Sequence, residues 1–399
     1  MLKYKDKKAA AFISLFISVT ILAIIVLCFN IKIFEHNPYD SYTRQALAWR
    51  EGRTYLNNNP SEIAYLELAI FEGRYYVSFP PVPSVFEFFL TFLFGQNTPN
   101  QFMLCVYTVV SCVALTLLFF KKHNLITSVT FGVLSTFGTN LLSMIAFGGV
   151  WHEAQILSFM LCSLAVLFIY SENKFLNGFS LFLASLSVGC RPFTVIFIPF
   201  LLIELYNKNK GEKIFQLLKY LIAPAIVAFL LMGYNMLRFG EPFEFGHNYL
   251  PEFVNSKDGQ FSLSYLLPNF IQSIKLPFQF TPEFKLNVNL FSANIFYIFN
   301  PVILVFFYYN IKNCIFRRRL TDYLYPIAVI LFIVATCMHK TLGGAQFGAR
   351  YFVDMIPYLA MYIATQKINF KFEFVRTEIT LMALALNIYG VFIVITKLT

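Results

Sequence analysis

Charge is what this sequence has least of. Only 13% of its 399 residues are Asp, Glu, Lys or Arg, while 58% are hydrophobic. A soluble globular domain carries about 25% charge, so this composition excludes a soluble fold. Tryptophan occurs twice and histidine five times. The seven cysteines include no CxxC pair and no neighbouring His set. They lie mostly in or at the ends of apolar runs and read as small core residues, neither a disulfide framework nor a zinc site. Also missing are a P-loop, GxGxxG, HExxH and GxSxG, so no standard motif for ATP-driven or zinc-dependent chemistry is present.

What is there is apolar length. Runs sit at roughly 9–31, 101–120, 125–147, 154–170, 175–190, 192–206, 214–236, 293–311, 322–338, 351–366 and 378–396. About 18 such residues let a helix cross a bilayer core. The pattern predicts an all-α, polytopic bundle of about eleven spans, one integral membrane domain over 1–399. A twelfth run, Pro81 to Gly95, is only 15 residues long, opens on prolines and carries Glu87. It reads as a helix lying on or dipping into the membrane.

The net charge of +10 records orientation better than nucleic-acid binding, because Lys and Arg concentrate in cytoplasmic loops. With the N-terminus inside and the first span uncleaved, 17 of the 31 basic residues fall on short inner segments, among them Arg317, Arg318 and Arg319. Two long outer segments, 32–100 and 237–292, then collect many of the acids. Within the first, Ser41–Arg53 and Glu62–Phe71 both read as interfacial helices, the second with Glu67 and Glu72 on its solvated face.

Asp40 follows the first span by about nine residues. Its carboxylate suits a helix N-cap or a general base facing a substrate hydroxyl. His152 and Glu153, in the turn Trp151-His152-Glu153, suit sugar hydroxyls or a proton transfer, and equally a hydrogen-bonded turn. Tyr75, Tyr76 and Trp49 suit stacking on a sugar ring or an aromatic belt.

Asn37-Pro38-Tyr39-Asp40, Ala46-Leu47-Ala48-Trp49, and Gly73 through Ser78-Phe79-Pro80-Pro81 follow one another after the first span. This order resembles the first outer loop of the GT-C superfamily, membrane glycosyltransferases with polyprenyl-phosphate sugar donors, such as protein O-mannosyltransferases and aminoarabinose transferases. Gly189-Cys190-Arg191-Pro192, Tyr234-Asn235 through Arg238 to His247, and Gly343-Gly344 through Arg350-Tyr351 with Asp354 and Pro357 resemble later turns of these enzymes. No acidic residue follows Asp40 directly and Phe79 stands where a His is usual, so metal dependence is left open and no other cofactor is expected.

The resemblance implies transfer of a sugar from a polyprenyl-phosphate donor to a glycan, lipid or protein acceptor of the cell envelope. The active site would lie on the periplasmic or extracellular side of the inner membrane. Asp40 would be the base. Arg350, Arg191 and Arg238 are the candidates for the donor phosphate, because guanidinium pairs bidentately with phosphate; snorkelling is the other fate of an Arg at a span end. A transporter or lipid flippase, or a non-catalytic scaffold, are the competing readings. The spans carry few of the buried charges a transport pathway uses.

Overall fold

In a membrane every backbone polar group must be satisfied internally, so apolar runs become helices. The computed structural model describes residues 2–57, 67–209, 214–275, 278–280, 282, 286–288, 296–344, 346–368 and 370–398. Six helices are long and apolar enough to cross a membrane: Asp6–Cys28 within α1 (Leu2–Cys28), α4 (Asn100–Phe120), α7 (Val150–Phe168), Leu218–Phe239, α16 (Leu320–Cys337), and Thr377–Lys397 within α18 (Phe370–Leu398). The pair α5 (Leu125–Thr136) and α6 (Leu141–Phe147), bent by 51°, has the length and apolarity of a broken span or a re-entrant loop. The helices α8 (Lys174–Val188) and α15 (Val302–Phe316) are apolar but shorter. The remaining segments are α2 (Ser41–Arg50), α3 (Val82–Phe94), α9 (Ile198–Lys208), α10 (Ile214–Leu217), α11 (Ile222–Phe239), α12 (Pro251–Val254), α13 (Leu263–Ile274), α14 (Phe296–Phe299) and α17 (Ile356–Ala364).

Two of the expected spans, 192–206 and 351–366, are not continuous α-helices. Each starts as a 3-10 turn, Pro192–Phe197 and Arg350–Met355, and becomes α-helical only where Pro199 and Pro357 occupy the first turn of α9 and α17. Proline has no N–H to lose at a helix start, so the α-helix begins there. Arg191 immediately precedes the first of these turns and Arg350 opens the second.

The first long segment differs from expectation at its second helix. Leu68–Phe71 is strand β1, paired antiparallel with β2 (Arg74–Val77). The turn Glu72-Gly73 takes φ of 48° and 73°, a two-residue hairpin connection that glycine favours and a helix cannot contain. Residues 58–66, the start of that expected helix, lie outside the described residues. A second hairpin joins β3 (Phe278–Phe280) and β4 (Leu286–Val288).

α2 and α3 pack on each other through polar groups. Thr43 donates to Glu87 at 3.1 Å, Ser84 to Gln45 at 2.7 Å, and Arg50 to the Thr91 carbonyl at 2.7 Å. The opposite side of α3, with Phe89, Phe92 and Leu93, is exposed. An amphipathic helix with this inverted arrangement suits a lipid contact. The core lies between α4, α5, α7, α8, α15 and α17, with Phe119, Phe131, Phe159 and Tyr358 fully buried.

Candidate active site

Both long segments converge on the same end of the bundle. The first is pinned at Asn37, whose amide donates to the Phe147 carbonyl at 3.2 Å, and at Tyr39, whose carbonyl accepts from Val150 N at 3.0 Å. The second is tied to the turn after α16 by an antiparallel bridge: Ser262 N donates to the Met338 carbonyl at 3.0 Å and Lys340 N to the Gln260 carbonyl at 2.8 Å. Between them open two adjoining chambers of about 270 and 400 Å³. Their common wall is Phe79, Trp151, His247, His339, Arg350 and Tyr351.

The smaller chamber is cationic. Arg191 Nε donates to Asp354 Oδ2 at 2.8 Å, and Gln155 Nε2 donates to Asp354 Oδ1 at 2.8 Å. Gln155 Oε1 accepts from Arg350 Nη1 at 3.0 Å, and Gly343 O accepts from Arg350 Nε and Nη2 at 3.0 and 2.9 Å. Both guanidiniums lie on the Tyr351 ring, at 4.6 and 4.7 Å from its centroid. Asp354 alone is paired with these cations; the chamber's other carboxylate, Glu244, bonds to Gly246 N and Asn248. Burial pulls Arg350 down to about 10, with the Arg191 charge adding to the effect, so it stays charged at neutral pH. Burial also works against the charge of Arg191, but the Asp354 carboxylate more than offsets it and holds the guanidinium above its usual value.

Of the five N–H donors of a guanidinium, Arg350 spends three on the protein, and Arg191 donates only its Nε among the described residues. The Tyr42 hydroxyl also belongs to this chamber, fully buried and without a hydrogen-bond partner. The wall around these charges is aromatic: Phe79 stands 5.1 Å from His247, and Phe261 5.1 Å from His339. Burial pushes His247 down to about 3 and His339 to about 4, so both imidazoles are uncharged at neutral pH.

The structure brings some of the sequence candidates together and separates others. Arg191 and Arg350 share the small chamber, and His152 lines the larger one with its Nδ1 2.5 Å from the Gly148 carbonyl. Arg238 lines neither: it donates to the Val77 carbonyl at 2.8 Å and to Asn235 at 2.9 Å, between the rings of Tyr234 and Phe239. Tyr75 and Tyr76 belong to β2: Tyr75 packs with Tyr42, Leu68 and Phe79, Tyr76 against Phe239 of α11, and neither lines either chamber. Trp49 donates to the Tyr234 hydroxyl at 3.0 Å.

Asp40 faces a third, neighbouring cavity with His36, Arg44, Glu51 and Arg53. It occupies the N-cap position of α2 but makes no side-chain capping bond. Instead its carboxylate accepts from Arg44 Nε at 2.5 Å and meets His36 Nε2 at 3.1 Å. Burial raises Asp40 above the usual carboxylate range against the pull of both neighbours.

Glu67, expected on a solvated face, is 1% exposed; burial and the charge of Asp40 push its carboxyl far up. Glu153 points away from the chambers, where Asn100 donates to it at 3.3 Å and Glu87 shares a hydrogen bond with it. Among the described residues no three of His, Cys, Asp and Glu stand within reach of one ion.

Gln155, His247, His339 and Tyr42 were not singled out by the sequence. Gln155 had a signal, a polar side chain within an apolar run and one helical turn beyond Trp151. His247 stood only as the end of the Tyr234–His247 motif segment and His339 had no signal, because tertiary ties such as the 261–339 bridge and the Asn269 bonds bring their segments together.

Fold and cavity together define an all-α polytopic membrane protein with a cationic, aromatic-walled site at one end of the bundle. No protein-family model matches the sequence, and no curated protein does. Among solved structures the chain is similar to the apo oligosaccharyltransferase of Archaeoglobus fulgidus, with a TM-score of 0.47 and 13% identity over 98% of this chain and 55% of that one. It is also similar to ArnT from Cupriavidus metallidurans bound to undecaprenyl phosphate, with a TM-score of 0.45 and 11% identity over 87% and 59%. The chain spans little more than half the length of these proteins.

Proposed function

We propose that the chain is a membrane glycosyltransferase that moves a sugar from a polyprenyl-phosphate-linked donor to a cell-envelope acceptor. In this reading it crosses the inner membrane about eleven times from a cytoplasmic N-terminus, and the chambers open on the outer face. The observation that carries the reading is the pair of guanidiniums on Tyr351, only one of them paired with a carboxylate and both retaining unused N–H donors. A phosphodiester leaving group needs such cations, fixed in place before charge develops on it. Trp151 and His152 in the larger chamber supply an aromatic face and a polar edge for a hydroxyl-bearing acceptor.

Asp40, the carboxylate that the motif resemblance marks as the base, lines a cavity of its own and neither chamber, so its part in transfer is tested directly. The test is transfer of radiolabelled sugar from a panel of polyprenyl-phosphate donors, in membranes carrying wild type, Arg350→Gln or Asp40→Asn. Wild-type transfer that Arg350→Gln abolishes in an inserted protein supports the phosphate role. Unchanged transfer by Asp40→Asn removes Asp40 from the reaction. No wild-type transfer from any donor refutes the enzyme reading in favour of a transporter or scaffold.

A further inference from the structure

Attack of an acceptor hydroxyl on the anomeric carbon releases a proton that some atom facing the chambers must take. Asp354 has both oxygens engaged, by Arg191 and Gln155. Glu244 accepts from Gly246 N at 2.5 Å and from Asn248 at 2.6 Å. His339 is placed differently. Its Nδ1 stands 2.7 Å from the Thr341 carbonyl and 3.2 Å from Thr341 N, and the shorter contact favours the hydrogen on Nδ1. The lone pair is thereby left on Nε2, 3.2 Å from the side-chain nitrogen of Gln260, which donates to it.

The backbone around this imidazole is held on both sides, by the bridge to Gln260–Ser262 and by Asn269, which donates to the His339 carbonyl at 2.8 Å. A chamber-lining ring whose Nδ1 hydrogen is favoured by a backbone carbonyl, and whose Nε2 is bonded by a single displaceable amide, has the geometry of a general base.

We propose that His339 Nε2 receives the proton of the acceptor hydroxyl, with the acceptor in the Trp151 chamber and the donor phosphate against Arg191 and Arg350. This rests on the glycosyltransferase reading. In the step, the acceptor oxygen forms a bond to the anomeric carbon while the bond from that carbon to the phosphate oxygen breaks. The electron pair leaves on the phosphate, beside the two guanidiniums. The hydroxyl proton goes to Nε2, and the Gln260 N–H swings off it.

The groups that face His339 are Arg191, Arg350, Tyr351, His247, its neighbour Lys340, and Glu252 across the larger chamber. Burial keeps its affinity for a proton low, and Arg191 and Arg350 lower it further. A phosphodiester seated on those arginines cancels part of their effect. The base is thus strengthened when the donor is bound, and donor binding and protonation of His339 favour each other.

The coupling is read on the full chain in detergent, with a geranyl-phosphate-linked hexose, whose single charge does not titrate above about pH 3. A rise of about two pKa units on binding tightens affinity about tenfold between about pH 7.5 and pH 5. His339→Gln is expected to abolish that tightening and, in the transfer assay, to lower kcat about a hundredfold or more with KM little changed. Gln260→Ala, which frees Nε2, shifts the pH dependence upward, and His247→Gln leaves it in place. A wild-type affinity flat in pH, a kcat within about twofold in His339→Gln, or the loss appearing in His247→Gln instead overturns the proposal. If no donor is a substrate, the glycosyltransferase reading and the base role fall together. The affinity measurement then still decides whether an anion in the arginine chamber is coupled to His339.

Discussion

The ion pair between Arg191 and Asp354 can be taken apart one side at a time. Asp354 is 2% exposed, and besides Arg191 its carboxylate meets only the Gln155 amide among the described residues. Arg191→Gln leaves that carboxylate charged, buried and short of a partner, which costs about 3–5 kcal/mol of folding free energy. Asp354→Asn is milder. The Arg191 side chain is 20% exposed and can turn toward water in the chamber, so the cost is that of lost hydrogen bonds, about 1–3 kcal/mol.

The double variant replaces two charges by two amides that can bond to each other. It is expected to recover about 2 kcal/mol relative to the sum of the single changes. The assay is unfolding of the purified chain in mixed micelles titrated with SDS, run as a double-mutant cycle. A coupling energy near zero, or an Arg191→Gln protein as stable as wild type, refutes the reasoning that this pair is a buried and mutually dependent unit.

Arg350→Lys keeps the charge but not the planar fork, and is expected to weaken binding of a prenyl phosphodiester about tenfold in an equilibrium binding assay. Glu87, on the buried face of α3, is pushed by burial from 4.5 to about 7. The folded state therefore holds a proton that the unfolded chain releases. The Glu87 share of the stability falls by about 3 kcal/mol as pH rises through that window and is flat above it, and Glu87→Gln removes that share of the slope in SDS titrations across pH. Gly246 takes φ of 106°, and a Cβ there would stand 2.9 Å from the Phe239 ring. Gly246→Ala should lower stability by about 1–3 kcal/mol and displace His247, seen as loss of binding in the same assay.

The sequence disclosed the helices, the loop ends and the two arginine turns, because apolar length and Pro-led helix starts are local properties. Arg191-Pro192 and Arg350 stand beside such starts, and both side chains meet in one chamber. What it concealed is non-local. Leu68–Phe71 reads as an amphipathic helix until the Glu72-Gly73 turn pairs it with β2. Glu67 reads as a solvated charge until the fold covers it. Arg238 looks equivalent to Arg191 by position, yet its guanidinium is held against the Val77 carbonyl and Asn235 and lines neither chamber. Which side of a turn a carboxylate faces is likewise set by packing: Tyr39 lines the larger chamber and Asp40, the next residue, the cavity behind it.

The pins at Asn37 and Tyr39 bear on how the protein is made. Their partners, Phe147 and Val150, leave the ribosome about 110 residues later. At about 5–20 residues per second, the first loop waits roughly 5–20 s before the residues that hold it have been synthesised. Through that interval α1 is inserted while α2 has only α3 to dock on, and the final seat of the loop forms only once α6 and α7 are in the bilayer. Nascent chains halted before Gly148 should therefore expose this loop to protease, and chains halted well beyond α7 should protect it.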